Sequence, residues 1–180
     1  NSNNYLSCID LLLQAIKHYP DEDKLKLNLG NIYKMLDRTN DAIETYTSLL
    51  ETPLSYMANN NLSLIMLELG EFEKCVKYAQ ESLKDNNNYN DAKYNLAVGL
   101  FERKEYIKSL DICLELINDD DYKNKAYELK IRIEQIICNW DHFSETQELL
   151  KNNKIIVHPF LHVSYVSDES SNCRNAKSWN

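Results

Sequence analysis

Three stretches of the chain carry one pattern, and this pattern decides the fold. They read KLNLGNIYKMLDRTNDAIETYTSLL (residues 26–50), NNLSLIMLELGEFEKCVKYAQESL (60–83) and YNLAVGLFERKEYIKSLDICLEL (94–116). Each contains Asn-Leu followed by a small residue, and a large apolar side chain comes three residues after that. Beyond a polar turn a second small residue follows, at Ala42, Cys75 and Ser109, and these are spaced about 34 residues apart. A recurrence of this length predicts stacked pairs of helices.

This pattern resembles the tetratricopeptide repeat, a helix-turn-helix unit of about 34 residues. The small residues match that repeat well, whereas its usual Trp is absent and its closing Pro is mostly replaced. The resemblance implies an all-α solenoid, a right-handed superhelix whose first helices line the concave face. A plain helical bundle is the alternative, and the regular recurrence argues against it.

The ends of the chain also fit the pattern. YLSCIDLLLQAIKHYP (5–20) resembles the second helix of an earlier repeat, and AYELKIRIEQIICNWDHFSETQELL (126–150) resembles a divergent last pair. We therefore expect the chain to be a piece of something longer. The predicted organisation is the second helix of a first repeat (1–22), three repeats (23–55, 56–89 and 90–123), a divergent pair (124–152) and a non-repeat segment (153–180).

Composition excludes several classes of partner. The 180 residues are 43% hydrophobic and 27% charged, which is usual for a soluble globular protein. The formal net charge is -8, and acidic and basic residues alternate without forming a basic patch. Nucleic acid and anionic membrane surfaces are therefore not expected as partners. No run approaches the roughly 20 apolar residues of a membrane span.

Five cysteines are spread along the chain without a CxxC pair: Cys8, Cys75, Cys113, Cys138 and Cys173. Four of them fall within helical patterns. We expect small buried thiols in a reducing compartment. This places the protein inside the cell, in the cytoplasm or, in a eukaryote, in the nucleus as well.

Asparagine recurs inside the predicted first helices. Asn28, Asn61 and Asn95 precede the leucine of successive units, again about 34 residues apart. Asn is a poor helix former, so its presence there needs a reason. Stacked along the inner surface, the carboxamides could bond both C=O and N–H groups of an extended polypeptide. The alternative is chance in an Asn-rich chain, and the series ends at Leu129.

Further side chains are predicted on the same face: Asn31, Tyr94 and Phe101, with Leu27, Leu64, Leu67 and Val98. For the apolar ones, burial against the neighbouring repeat is an equal alternative. The partners expected are extended segments of other proteins, while self-association through the repeats stays open.

The end of the chain adds a second resemblance. QIICNW (135–140) and VHPF (157–160) are similar to the junction between repeats and catalytic region in O-GlcNAc transferases and their bacterial relatives. There a helix ending like Q-I-V-C-D-W leads through a linker to V-H-P or S-P-F. Asp168 and ESSNCRNAKSW (169–179) would then follow as the first helix of the catalytic region.

This resemblance implies that the repeats are the substrate-recognition arm of an enzyme that transfers N-acetylglucosamine from UDP-GlcNAc to Ser or Thr. The asparagine ladder is also a feature of that family. Its nucleotide site lies in two Rossmann-like lobes that this sequence lacks, so we expect no cofactor here and assign no catalytic residue. His158 could face the missing catalytic region, and a packing role inside this chain is an equal alternative. The competing interpretation is a free-standing scaffold or adaptor without an enzymatic role.

Other chemistry finds little support in the sequence. Cys138 and His142, and likewise His158 and His162, stand four residues apart, but neither pair has the further ligands of a zinc site. Neither a Gly-rich phosphate loop nor a nucleophile elbow occurs.

Overall fold

The structure, a computed structural model, describes residues 2–167 and 169–179. Over these residues it contains eleven helices and no strand, which confirms the all-α prediction. The helices are α1 (Ser2–His18), α2 (Asp23–Met35), α3 (Thr39–Thr47), α4 (Ser55–Glu68), α5 (Phe72–Asp85), α6 (Asn90–Glu102), α7 (Tyr106–Leu116), α8 (Lys123–Ile136), α9 (Phe143–Lys151), α10 (Pro159–Tyr165) and α11 (Glu169–Trp179).

One backbone turn recurs after five of the described helices. Two residues after the ends of α2, α4, α6 and α8, the backbone has a positive φ, at Asp37 (56°), Gly70 (74°), Lys104 (62°) and Cys138 (54°), and Asn153 (56°) has the same conformation after α9. The next N–H donates to a carbonyl five residues earlier, as from Arg38 to Tyr33 (2.9 Å) and from Asn139 to Glu134 (2.9 Å). This is the bond of a Schellman motif, which satisfies a carbonyl at the helix end. The backbone thus repeats at the sequence period, and the divergent last pair follows it.

The chain forms two compact units, one up to Gly99 and one from Leu100. In the first, small residues at the repeat positions let helices approach closely. Ala42, Cys75 and Ala79 are all fully buried. A Cβ on Gly30 would lie 2.6 Å from a ring carbon of Tyr46, so α2 and α3 meet at a distance that only glycine permits.

The second unit has its own core around α8, α9 and α10. Its fully buried side chains include Ile131, Leu150 and Val157. His158 caps α10, because its Nδ1 accepts a hydrogen bond from the N–H of Phe160 (3.3 Å) and Pro159 occupies the first turn. The predicted helix at 169–179 is confirmed as α11, whereas Asp168 lies outside the described residues.

The prediction that the cysteines are buried needs a correction, and all five lie within the described residues. Four lie in helices as predicted, and Cys138 occupies the turn after α8. Only Cys75 and Cys113 are buried, so the expectation of buried thiols is wrong for Cys8, Cys138 and Cys173. A helical position does not by itself decide which face a side chain occupies.

Two negative observations apply to residues 2–167 and 169–179. No three His, Cys, Asp or Glu side chains gather there as metal ligands would. None of the helices in this part of the chain has both the length and the apolar surface needed to cross a bilayer.

Candidate polypeptide-binding surface

Two of the predicted site residues line one open groove. Asn28 and Asn31 lie on the exposed face of α2, beside Ile32. Across from them stand Cys8, Leu11 and Leu12 of α1. The groove has a volume of about 430 Å³, and it combines two carboxamides with an apolar floor. We call it the α1–α2 groove.

Asn31 also joins three successive helices. Its Oδ1 accepts a hydrogen bond from the hydroxyl of Tyr46 on α3 (2.6 Å) and another from Nδ2 of Asn61 on α4 (3.3 Å). Tyr46 is fully buried, and this burial raises the pKa of its phenol, which therefore stays a neutral donor. The structure thus brings two predicted residues, Asn31 and Asn61, into direct contact.

Asn95 has a partner inside the protein. It is buried on α6, and its Nδ2 donates to Oδ1 of Asn60 (2.9 Å) and to Oγ of Ser63 (3.1 Å), both on α4. A carboxamide has two N–H groups, so these two contacts already occupy its donors. A bound peptide would have to displace Asn60 or Ser63 to use them, and the role of Asn95 as a peptide ligand stays a prediction.

The two aromatic candidates differ in their surroundings. Tyr94 is half-buried on α6 in the first unit. Phe101 belongs to the second unit and is only 9% exposed. Its ring lies 5.8 Å from that of Tyr106, and the guanidinium of Arg132 sits 4.9 Å from its centre. These contacts favour the packing alternative for Phe101.

A buried ion pair lies on α8, and the sequence analysis did not predict it. Nζ of Lys130 lies 2.8 Å from Oε1 of Glu134, and the two side chains are 4% and 3% exposed. The register could have revealed this pair, because Lys130 stands one repeat period after Leu96, and Glu134 stands one period after Leu100. At these core positions the other first helices carry Leu29 and Tyr33, Leu62 and Met66, and Leu96 and Leu100.

The two patches that resemble the glycosyltransferase junction lie in the second unit. Nε2 of Gln135 donates to Oγ of Ser164 on α10 (3.0 Å). The indole of Trp140 lies 6.4 Å from the ring of Tyr165. His158 caps α10, and its ring meets that of Trp179 edge to face at 5.3 Å. Packing and capping therefore account for His158 within this unit.

No protein-family model matches the chain, and no curated protein matches it. Solved structures do. A structure of MamA, 17% identical, aligns with a TM-score of 0.69 over 98% of this chain and 91% of that one. YrrB, described as a TPR protein with an unusual peptide-binding site, is 13% identical, with a TM-score of 0.65 over 98% of this chain and 85% of its own.

A tetratricopeptide repeat protein from Parabacteroides merdae is also similar. It is 19% identical, with a TM-score of 0.67 over 83% of this chain and 59% of that one. Identities this low establish the fold alone. The chain has the helix-turn-helix solenoid fold of the tetratricopeptide-repeat proteins.

Proposed function

We propose that this chain is a scaffold that binds extended segments of other polypeptides along its first helices. The observation that carries the proposal is the exposed carboxamide of Asn28, with Asn31 and apolar side chains beside it. The fold supports it as well, because one solved structure of this fold is described as having a peptide-binding site.

The repeat gives the mechanism. Asn28 and Asn61 occupy equivalent positions on α2 and α4, and each carboxamide offers a donor and an acceptor. An extended peptide lying across these helices would bond through its backbone, with little dependence on its side chains. Asn95 would join the series by exchanging Asn60 for the peptide.

Backbone recognition can be tested by chemistry at the peptide amides. Unstructured peptides are screened for binding, and a binder is then resynthesised with N-methyl groups along its backbone. The proposal predicts that N-methylation abolishes binding while single side-chain changes have little effect. Replacing Asn28, Asn61 and Asn95 together by Ala should weaken binding more than any single change, since each lost bond costs about 0.5–1.5 kcal/mol. Binding that survives N-methylation would refute this mechanism.

A finer proposal concerns the enzyme to which such a scaffold would belong. The resemblance at 135–140 and 157–160 supports a substrate-recognition arm of an O-GlcNAc-transferase-like glycosyltransferase, and the contact of Gln135 with Ser164 fits a compact junction there. UDP-GlcNAc would bind to lobes outside this sequence. Isothermal titration should therefore detect no heat of binding between this chain and UDP-GlcNAc.

A free-standing adaptor is the second candidate, and the likeness to solved repeat proteins supports it about as well. The coding DNA beyond the codon for Asn180 separates the two. An open frame of several hundred codons with alternating strands and helices would support the glycosyltransferase arm. A stop codon soon after Asn180 would rule that out and leave the adaptor.

An intracellular location goes with either candidate. Cys8, Cys138 and Cys173 are exposed and free. Exposed thiols persist in a reducing compartment and tend to oxidise outside it. Fluorescence microscopy of the tagged protein in its own cells would test the location.

A further inference from the structure

A small polar pocket lies among α7, α8 and α9, within the second unit. Its volume is about 180 Å³, and a cavity of about 150 Å³ is known to hold benzene. Helices stand on both sides of this trio along the chain, since α6 precedes α7 and α10 follows α9. We call it the α7–α9 pocket, and its lining includes Leu114, Ile117, Tyr127, Lys130, Glu145 and Thr146.

Thr146 is the residue that leaves room for this pocket. It lines the pocket and is 1% exposed. At the same repeat position the two preceding second helices carry Ile112 and Tyr78, one and two periods earlier. Threonine is smaller than either of these residues. Space therefore remains beside Lys130 that a larger apolar side chain would occupy.

Lys130 supplies hydrogen-bond donors to the α7–α9 pocket. An ammonium group has three N–H groups. Oε1 of Glu134 lies 2.8 Å from Nζ and accepts one of them, which leaves two for acceptors that enter the pocket. The hydroxyl of Thr146 can donate as well. The buried part of the pocket thus favours a ligand with an acceptor oxygen.

Charge decides which kind of acceptor fits. The ammonium of Lys130 is balanced by the carboxylate of Glu134, and both side chains are almost fully buried. A carboxylate or an ammonium that entered the pocket would be an uncompensated buried charge, which is unfavourable. Glu145 differs, because its side chain is 71% exposed beside His142 and water solvates its charge. A neutral ligand with an inner acceptor and an outer donor matches this arrangement.

We propose that the α7–α9 pocket binds the primary carboxamide of a glutamine or asparagine side chain in another polypeptide. The carboxamide oxygen accepts from Nζ of Lys130 and from the hydroxyl of Thr146, and the NH₂ group donates to the carboxylate of Glu145. The methylene groups of the ligand lie against Leu114 and Ile117. The pocket uses none of the first-helix asparagines, so this inference does not rest on the site under "Proposed function".

A pocket at the same repeat position of the first unit provides an internal control. Leu29 stands there in place of Lys130, three periods earlier. Lys26 also lines it, but this side chain is 27% exposed and pairs with Asp23. The control pocket therefore lacks the buried ammonium, and we expect it not to bind the carboxamide. Its Leu13, Ile16, Glu44 and Thr45 correspond to Leu114, Ile117, Glu145 and Thr146.

The test is an NMR titration of the full chain with three capped amino acids. The probes are N-acetyl-glutamine methylamide and its glutamate and lysine counterparts, which share the same backbone amides. Glutamine and glutamate have nearly the same shape and differ in charge. The proposal predicts a saturable shift of the backbone amide of Thr146 with the glutamine probe, and binding at least about tenfold weaker with either charged probe. The backbone amide of Thr45 should not shift.

Variants at one position locate the ligand. Thr146→Ile places the side chain of Ile112 in the pocket and should abolish binding. Thr146→Val keeps the size and removes the hydroxyl, so binding should weaken roughly 2- to 12-fold. Thr47→Ile, at an exposed threonine of α3 that does not line the pocket, should leave binding unchanged. Circular dichroism verifies the fold of each variant, and binding that survives Thr146→Ile would refute the proposed site.

Three further results would overturn the proposal. The first is the absence of a saturable shift at Thr146 with the glutamine probe at its highest soluble concentration. The second is equal or tighter binding of the glutamate or lysine probe, which would make this a site for a charged group. The third is an equal shift at Thr45, because the buried ammonium of Lys130 would then not be required. Replacing the first-helix asparagines should change none of these results, so either site can fail alone.

Discussion

Nδ2 of Asn95 donates a hydrogen bond to Oδ1 of Asn60 across 2.9 Å, and both residues are buried. The bond ties α6 to α4, as Asn61 ties α4 to α2 through Asn31. For Asn61 and Asn95 this bond is a structural reason for a poor helix former inside a first helix, whereas Asn28 stays exposed. Asparagine lowers the helix propensity at these positions, and its carboxamide forms a hydrogen bond to the preceding first helix.

Asn95→Ala should therefore destabilise the protein. Alanine is the better helix former by about 0.7 kcal/mol, but the change leaves the buried carbonyl oxygen of Asn60 without this donor, which costs about 1–3 kcal/mol. We expect a net loss of roughly 1 kcal/mol in the free energy of unfolding, measured by urea titration. The matched control is Asn28→Ala, at the equivalent exposed position, which should be neutral or slightly stabilising. Equal effects at both sites would contradict the tether.

Gly30→Ala should also destabilise, although alanine favours the helix. The new methyl group would stand 2.6 Å from the ring of Tyr46, so α2 and α3 must separate. Such overpacking costs about 1–3 kcal/mol, which exceeds the gain of up to about 1 kcal/mol from helix propensity. In a Tyr46→Leu variant, the same Gly30→Ala change should be neutral or stabilising. Leucine is the residue at the equivalent position of α1, where Leu12 stands one repeat period before Tyr46. Thermal unfolding of the four proteins gives the coupling directly.

The pair of Lys130 and Glu134 should respond differently to single and double replacement. Lys130→Met leaves the buried carboxylate of Glu134 uncompensated, and breaking such a pair costs about 3–5 kcal/mol. Lys130→Leu combined with Glu134→Leu restores the apolar pair of Leu96 and Leu100, and should be neutral or stabilising by about 1–4 kcal/mol.

An exposed lysine provides the control for this comparison. Lys84, which pairs with Glu81 and is 67% exposed, should tolerate replacement by Met with little change in stability. Chemical denaturation of all four proteins is the measurement. A double variant less stable than the wild type would show that the ion pair stabilises the fold beyond an apolar pair.

The buried thiols should make stability fall at high pH. Burial raises the pKa of the Cys75 thiol to about 11 and that of Cys113 to about 12. An unfolded thiol titrates at about 8.5, so the folded state keeps its protons longer. This stabilisation is full below that pH and declines as the pH rises toward 11, because the unfolded state then binds fewer protons.

Cys75→Ala should flatten this decline. Alanine fits, since Ala42 holds the equivalent position. The free energy of unfolding of both proteins is measured between pH 7 and pH 10, and Cys8→Ala controls for the loss of an exposed thiol. Parallel curves for wild type and Cys75→Ala would mean that Cys75 does not contribute to the pH dependence.

Much of the fold could be read from the sequence because one period governs it. The spacing of Ala42, Cys75 and Ser109 predicted the helical pairs, and all three residues are fully buried. Cys8 stands one period before Ala42, yet it is exposed, so its place in the repeat did not reveal its exposure. The exposure of Cys138 was not predicted, because a left-handed turn at this residue ends α8 earlier than the apolar pattern suggests.

The contacts of the candidate site were harder to predict. Asn59, Asn60 and Asn61 stand side by side, and composition cannot tell which of them meets Asn95; only the rotation of α4 decides that Asn60 does. Lys130 was readable in principle, because it interrupts a column of leucines at Leu29, Leu62 and Leu96. Its partner four residues on, at helical spacing, completes the signal.

In the proposed complex, Asn28, Asn61 and Asn95 hold an extended polypeptide by its backbone. The most direct test follows the side-chain NH₂ resonances of Asn28, Asn61 and Asn95 by NMR while an unstructured binding peptide is added, with assignments from the three Asn→Ala variants. If the three carboxamides bind the peptide, these resonances shift together and saturate at one Kd. Binding that leaves all three resonances unmoved would contradict it.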